Sequence, residues 1–241
     1  MAPKPKKPAL SPSVPTTSPS PSDFAGRSGL GAYIKDPTSF PSSRVIYHND
    51  NFVAIHDLFP KAEVHTLLLP RGKQSSLHPF DAFQDEEFLA VVRAELPSLI
   101  KIVASELRRK FGQFSVQDQA REKVLNGEVE GELPTGRDWE REVMVGVHAV
   151  PSMANLHVHV LSRDRHSECL KHRKHYNSFS TDFFVPMDAF PLAEDDPRRS
   201  PGKEGYLNRG FVCWNCGKEF GNKFAQLKAH LEVEFDAWKS E

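Results

Sequence analysis

The stretch "MANLHVHVLS", Met153 to Ser162, alternates apolar and polar residues with period two, and that is the strongest constraint on the fold. Alternation of this kind predicts a β-strand with one buried face, so Leu156, Val158 and Val160 point one way and Asn155, His157 and His159 the other. Two residues along a strand span about 6.5–7 Å, which lets both imidazoles meet one small anionic group or one metal ion. A half-exposed strand with ordinary surface histidines accounts for the same ten residues.

The rest of the chain supplies partners for such a strand. "RVIYHNDNFVAIHD" reads as two short strands around an "HNDN" turn, and "EVHTLLLP" as a third closed by Pro70. Apolar residues at Phe88, Val92, Leu96, Leu99, Val103, Leu107 and Phe111 predict a long amphipathic helix. Pro97 inside it costs on the order of 3 kcal/mol unless the geometry absorbs it, so a kink or two abutting helices is expected. Residues 117–141 are polar, Gly-containing and weakly periodic, and read as a surface insertion before the strand "EVMVGVHAV". The expected class is α+β, an antiparallel sheet with packed helices. Its main domain spans 31–190, a Pro-, Gly- and charge-rich linker spans 191–209, and a small module spans 210–241.

Composition narrows the setting. The opening "MAPKPKKPALSPSVPTTSPSPSD" lacks apolar clusters that could offset its ordering entropy, so residues 1–30 are expected to be disordered. No run of some 18 apolar residues and no apolar secretory core is present, so neither a membrane span nor a signal peptide is expected. The net charge of −1 argues against a wholly basic coat and leaves local basic patches open. Three cysteines, two of them spaced C-x-x-C, suggest metal ligation or redox work in a reducing compartment. "PKPKK" is a short basic run of the kind that serves nuclear import.

His65, His148, His157 and His159 fall on three predicted strands of one sheet, with Ser152 and Asn155 beside them. Metal is one use for four imidazoles, but a catalytic zinc site usually takes three protein ligands with an open position, and no carboxylate is placed there by spacing. Phosphorus chemistry fits better. A neutral imidazole is a competent nucleophile near pH 7, and a second, protonated ring can stabilise phosphoryl oxygens or protonate a departing oxygen. A covalent phospho-histidine splits one displacement into two easier ones.

"SMANLHVHVLS" resembles the histidine-triad signature His-φ-His-φ-His-φ-φ, with φ apolar. Together with "FPKAEVHTLLLP", "HAVPSM", "CLKHRKHYNSFSTDFF" and the C-terminal module, it resembles the aprataxin branch of that superfamily in a fungal-like form, from about Arg44 to the C-terminus. The resemblance implies a histidine-triad (HIT) fold and hydrolysis of 5′-adenylated DNA left by abortive ligation. It implies that His157 attacks the AMP phosphorus, that His159 and His148 bind phosphate and assist proton transfer, and that Ser152 lends a donor. His65 and Lys61 would line the nucleotide and DNA-end side, with Ser178 also facing substrate. Asn155 stands where the first motif histidine belongs; its amide is expected to orient a neighbour. No catalytic cofactor is implied.

In the tail, "FVCWNCGKEFGNKFAQLKAHLEVEF" places Cys213 and Cys216 before an apolar frame of Phe220 and Leu227, then His230. This is the layout of a Cys2His2-type finger with Glu234 at the fourth position, one helical turn from His230, so structural Zn2+ is expected. A metal-free redox C-x-x-C is the alternative. The loop "RDRHSECLKHRKH" carries Arg163, Arg165, Lys171, Arg173 and Lys174 against Asp164 and Glu168, and Lys171 and Lys174 are expected on phosphate. Arg198, Arg199 and Arg209, with Lys218, Lys223 and Lys228, extend a possible DNA track. The expected partners are nicked or double-stranded DNA bearing 5′-AMP, with AMP as product, no membrane, a monomeric protein and a nuclear location. A DNA-end binder without turnover, or a HIT phosphoramidase acting on small nucleotides, is the alternative.

Overall fold

The computed structural model describes residues 26–241; residues 1–25 of the expected disordered tail lie outside the described residues. In chain order the elements are α1 (Gly31–Lys35), β1 (Val45–His48), β2 (Phe52–His56), β3 (His65–Pro70), α2 (Pro79–Ala82), α3 (Glu86–Phe111), α4 (Val116–Leu125), β4 (Val143–His148), β5 (Val158–Ser162), α5 (Arg173–Ser180), β6 (Phe184–Pro186), α6 (Pro201–Glu204), β7 (Phe211–Val212), β8 (Glu219–Gly221) and α7 (Phe224–Ser240). Six strands form one antiparallel sheet in the order β1-β2-β3-β5-β4-β6, and β7 and β8 form a separate ribbon. The α+β expectation therefore holds.

The register sorts the sheet into two faces. Leu67 lies opposite His159, His65 opposite Leu161 and Gly146 opposite His159, which puts these residues on one face. Ala54, Leu68, Val158, Val160, Val147 and Val185 belong to the other and pack with α3. That helix begins at Asp85, whose carboxylate accepts the Phe88 N–H, and ends in Arg108, Arg109 and Lys110, so its charges follow its dipole. It is one continuous helix of 26 residues, not two. Pro97 sits on the exposed side of the helix, as does Arg93, whose carbonyl loses its usual donor. The buried stripe begins at Leu89; Phe88 is only partly covered.

The surface insertion, the linker and the described end of the expected tail are all tied into the molecule. Within residues 117–141, most of α4 forms a helix, and Asp118, Arg137 and Trp139 are buried. Asp118 accepts the Arg137 N–H and the Trp139 indole N–H at 3.0 and 2.8 Å, and the Arg137 guanidinium lies over the rings of Trp139 and Trp238. Most of the segment is exposed, as a surface insertion should be, and these few buried groups anchor it to the body of the molecule. The 191–209 linker winds through short helical turns, with Leu192 and Tyr206 buried. Its Arg198 pairs with Asp196 and its Arg199 donates to the Leu192 and Ala193 carbonyls, so both guanidinium groups serve the strap rather than a DNA track. Residues 26–30 are turn, tied to the motif loop by the Ala154 N–H on the Arg27 carbonyl.

Candidate active site

The histidine face is roofed at one end by α1 and at the other by α5, leaving a cavity of about 540 Å³ between them. Its apolar end is made by Leu30, Tyr33, Ile55, Leu67 and Met153. His65, His148, His157 and His159 converge at the other end, with ring centroids 5.1 Å apart for His65–His159, 4.5 Å for His148–His159 and 4.9 Å for His157–His159.

Hydrogen bonds fix which nitrogen carries each proton. The Lys61 backbone N–H donates to His65 Nδ1 at 3.0 Å, so a neutral His65 carries its proton on Nε2. That Nε2 is 2.9 Å from His159 Nδ1, which then accepts and leaves the His159 proton on Nε2. His157 Nδ1 is 2.8 Å from the Asn155 carbonyl; it must donate, so its Nε2 keeps a free lone pair. Among the described residues, His159 Nε2 and His148 Nε2 have no protein partner.

Burial sets the charge state. It pushes His65 down to about 4 and His148 down to about 3, and it lowers His157 and, more strongly, His159. The protonated ring expected from sequence is therefore not held in place beforehand; the rings act as neutral donors and acceptors. Spacing alone placed no carboxylate here, but the fold does: Asp57, directly after β2, brings Oδ2 within 3.5 Å of His65 Nε2. Donor atoms of Asp57, His65 and His159 lie within 4.8 Å of one another. The two rings are already bonded to each other, and Lys61 lines the same cavity, an arrangement suited to a hydrogen-bonded relay.

Asn155 departs from its expected place. β5 begins at Val158, Asn155 lies in a bend before it, and its backbone carbonyl, not its amide, orients His157. Ser152, Lys61, Lys174 and Ser178 all line the cavity; Lys61 Nζ donates to the Phe59 carbonyl and Ser178 Oγ to the His175 carbonyl. Lys171 is exposed and outside the cavity wall, where its backbone N–H donates to His175 Nδ1. Arg165 is buried, and Arg173 is bonded to the Asn208 and Arg209 carbonyls, which removes both from an open phosphate track. The sequence reading missed Asp57, His175 and the aromatic wall Phe179. No local pattern marks any of them, since only strand pairing and the docking of α5 bring them to the cavity.

Donor atoms of Cys213, Cys216, His230 and Glu234 lie within 4.8 Å of one another. A tetrahedral ion with two thiolates, one imidazole and one carboxylate needs such a convergence. Glu232 points away from it and binds His166 Nε2 at 2.9 Å, as the helical spacing predicts.

Comparison with known proteins covers both modules. The HIT domain family matches residues 41–166, and the C2HE / C2H2 / C2HC zinc-binding finger family matches residues 180–237. An aprataxin-like protein of Saccharomyces cerevisiae is 37% identical over 216 residues, covering 88% of this chain and 96% of the relative. One from Schizosaccharomyces pombe is 34% identical, covering 88% and 82%. The crystal structure of the aprataxin ortholog Hnt3 in complex with DNA is similar with a TM-score of 0.68 at 29% identity, covering 88% of this chain and 96% of that one.

Proposed function

Because the chain belongs to the aprataxin family, a HIT domain joined to a zinc-binding finger, we propose that it is a DNA 5′-adenylate hydrolase that removes AMP from abortive ligation intermediates. The observation that carries this reading is the tautomer of His157. Its Nδ1–H is committed to the Asn155 carbonyl, so Nε2 is left as a nucleophile at the cavity.

Nε2 of His157 attacks the AMP phosphorus, a P–N bond forms, and the bond to the bridging oxygen breaks. The leaving group is the 5′-phosphate of DNA. A phosphate monoester has a second pKa near ~6, so it departs as a stable anion and asks little of a general acid. Neutral rings thus suit this substrate. The Nε2–H of His159 and a donor from Ser152 stabilise phosphoryl oxygens, and Lys61 and Lys174 balance charge at the mouth. Water then attacks phosphorus, a neighbouring neutral imidazole accepts its proton, and the P–N bond breaks to release AMP. The apolar end of the cavity takes the nucleobase.

Cys213, Cys216, His230 and Glu234 would hold Zn2+, which supplies a crosslink within the finger and no step of the reaction. Nicked or broken DNA would run from the cavity mouth towards the finger, and a monomeric protein working in the nucleus is part of the same reading.

The test is release of labelled AMP from adenylated nicked DNA, with trapping of protein-bound adenylate under alkaline denaturing conditions, where a P–N adduct survives and from which acid releases it. Wild type should release AMP, and His157→Ala should form no adduct and lose on the order of 10⁴-fold or more in rate. A gel shift without AMP release would instead identify an end-binding protein, and label retained on His157→Ala would overturn the choice of nucleophile.

A further inference from the structure

Arg165, in the loop directly after β5, has an unusual combination of properties. Its backbone φ is +48°, a left-handed conformation that side chains other than glycine seldom adopt. Its side chain is buried, with 7% of the residue exposed, although it carries a charge. Burial brings its pKa down only to about 10, so the guanidinium stays protonated at neutral pH. A long cationic side chain in such a place is normally lost from a core unless partners hold it, and here both terminal nitrogens have them although the buried Nε has none.

What holds it are two parts of the molecule far apart in sequence. One terminal nitrogen donates to the Arg163 carbonyl at 2.6 Å and the other to the Phe179 carbonyl at 2.7 Å. The guanidinium carbon is 5.4 Å from the centre of the Trp214 ring, and that of Arg163 is 5.0 Å from the same ring. Trp214 sits in the knuckle of the finger between Cys213 and Cys216, and its backbone N–H donates to the Tyr176 hydroxyl at 3.0 Å. That hydroxyl donates in turn to the Val212 carbonyl at 2.9 Å. The knuckle is thus seated on α5 by Tyr176 and on the post-β5 loop by Arg165.

The other side of α5 faces the imidazoles. The Phe179 ring meets His148 at 4.6 Å, His159 at 5.1 Å and His65 at 5.4 Å between centroids, in edge-on orientations. Phe179 is the one side chain that touches these three rings at once among the aromatic contacts of the described residues, and its own carbonyl is the one Arg165 grips.

We infer that Arg165 is a positioning residue for the hydrolysis: it locks the finger knuckle to the Phe179 carbonyl and so holds the Phe179 ring against His65, His148 and His159. This rests on the reading of those imidazoles as hydrolytic, and it adds that the finger acts on turnover as well as on DNA binding. A misplacement of one of these rings by about 1 Å is enough to cost on the order of 100-fold in rate.

The full-length, zinc-loaded chain tests it with three variants. Arg165→Gly removes the side chain while relieving the backbone, Arg165→Lys keeps a charge but has one donor nitrogen where the guanidinium has several, and Trp214→Leu removes the aromatic seat from the finger side without touching a zinc ligand. On adenylated nicked DNA, Arg165→Gly and Trp214→Leu should lower kcat on the order of 10- to 100-fold with KM changed less than about threefold, and Arg165→Lys should recover part of the loss. In histidine-labelled protein, the ring resonances of His148 and His159 should move in Arg165→Gly and Trp214→Leu, because they lose the fixed Phe179 ring, while those of the remote His48 stay in place. Unmoved His148 and His159 resonances in both variants overturn the inference, as does a fall in kcat without that movement. If Arg165→Gly does not fold, Trp214→Leu alone decides. A wild-type protein that releases no AMP refutes the hydrolase reading by itself, and the resonances still report on the lock.

Discussion

At the scale of single residues, Asn155 and His157 show how a side chain can be misread when its backbone does the work. The carbonyl of residue 155 fixes the His157 tautomer, and any residue supplies a carbonyl. Asn155→Ala should therefore leave AMP release within about threefold of wild type, checked by steady-state kinetics on adenylated DNA. The buried imidazoles also fix an acid response. Their folded pKa values lie below the ordinary 6.5, at about 4 for His65 and about 3 for His148, so the unfolded chain binds more protons as pH falls. Their contribution to stability is complete above about 6.5 and is lost as pH falls through the folded values. Glu63 and Glu232 hold His166 above its ordinary value; its contribution is complete below about 6.5 and is lost as pH rises through the folded value. Denaturant midpoints should drop from pH 7 to pH 4.5, and His148→Gln should flatten that slope. An unchanged slope would mean that this ring takes up its proton equally in both states.

At the scale of elements, α3 and α7 carry the packing that keeps the sheet stiff under its histidines. Trp238 near the end of α7 is 1% exposed and sits among Phe111, Phe235 and Trp139, with Arg137 over its face. Trp238→Ala should cost about 3–5 kcal/mol in denaturant unfolding, since it opens a cavity and strips the buried guanidinium of one of its faces. Gly146, opposite His159 on β4, has no room for a side chain: a Cβ there would lie 2.5 Å from the Val185 carbonyl oxygen and 2.7 Å from the Phe184 ring. Gly146→Ala should push β6 away from β4 and lower both stability and AMP release, measured on the same preparation. The helical period of α3 was legible because its apolar stripe repeats over many turns. The 117–141 segment was not, because its order comes from Asp118 and Arg137 finding partners in Trp139 and α7.

At the scale of the whole molecule, the finger is not a separate bead on a linker but a second wall of α5, seated by Tyr176, Arg173 and Trp214. Chelation of the metal should melt the finger, change the Trp fluorescence from Trp214 and Trp238, and weaken DNA binding and AMP release together; loss of neither would refute a structural zinc. Lys174→Ala should weaken binding to all DNA sequences alike and reduce the slope of log K against log salt by about 0.9 if it contacts one phosphate. The sequence by itself determined the strands, the long helix, the two-imidazole face and the Cys-Cys-His-Glu set, because each is written in local spacing: period two, period 3.6, or ligands one turn apart. Only the tertiary structure decided that Asp57 and Phe179 join the histidines, that Arg165 turns inward, that Arg198 is taken up by Asp196, and that the rings are neutral. Those outcomes depend on which strands pair and how much water is excluded, and both are properties of the packed chain that no run of neighbouring residues encodes.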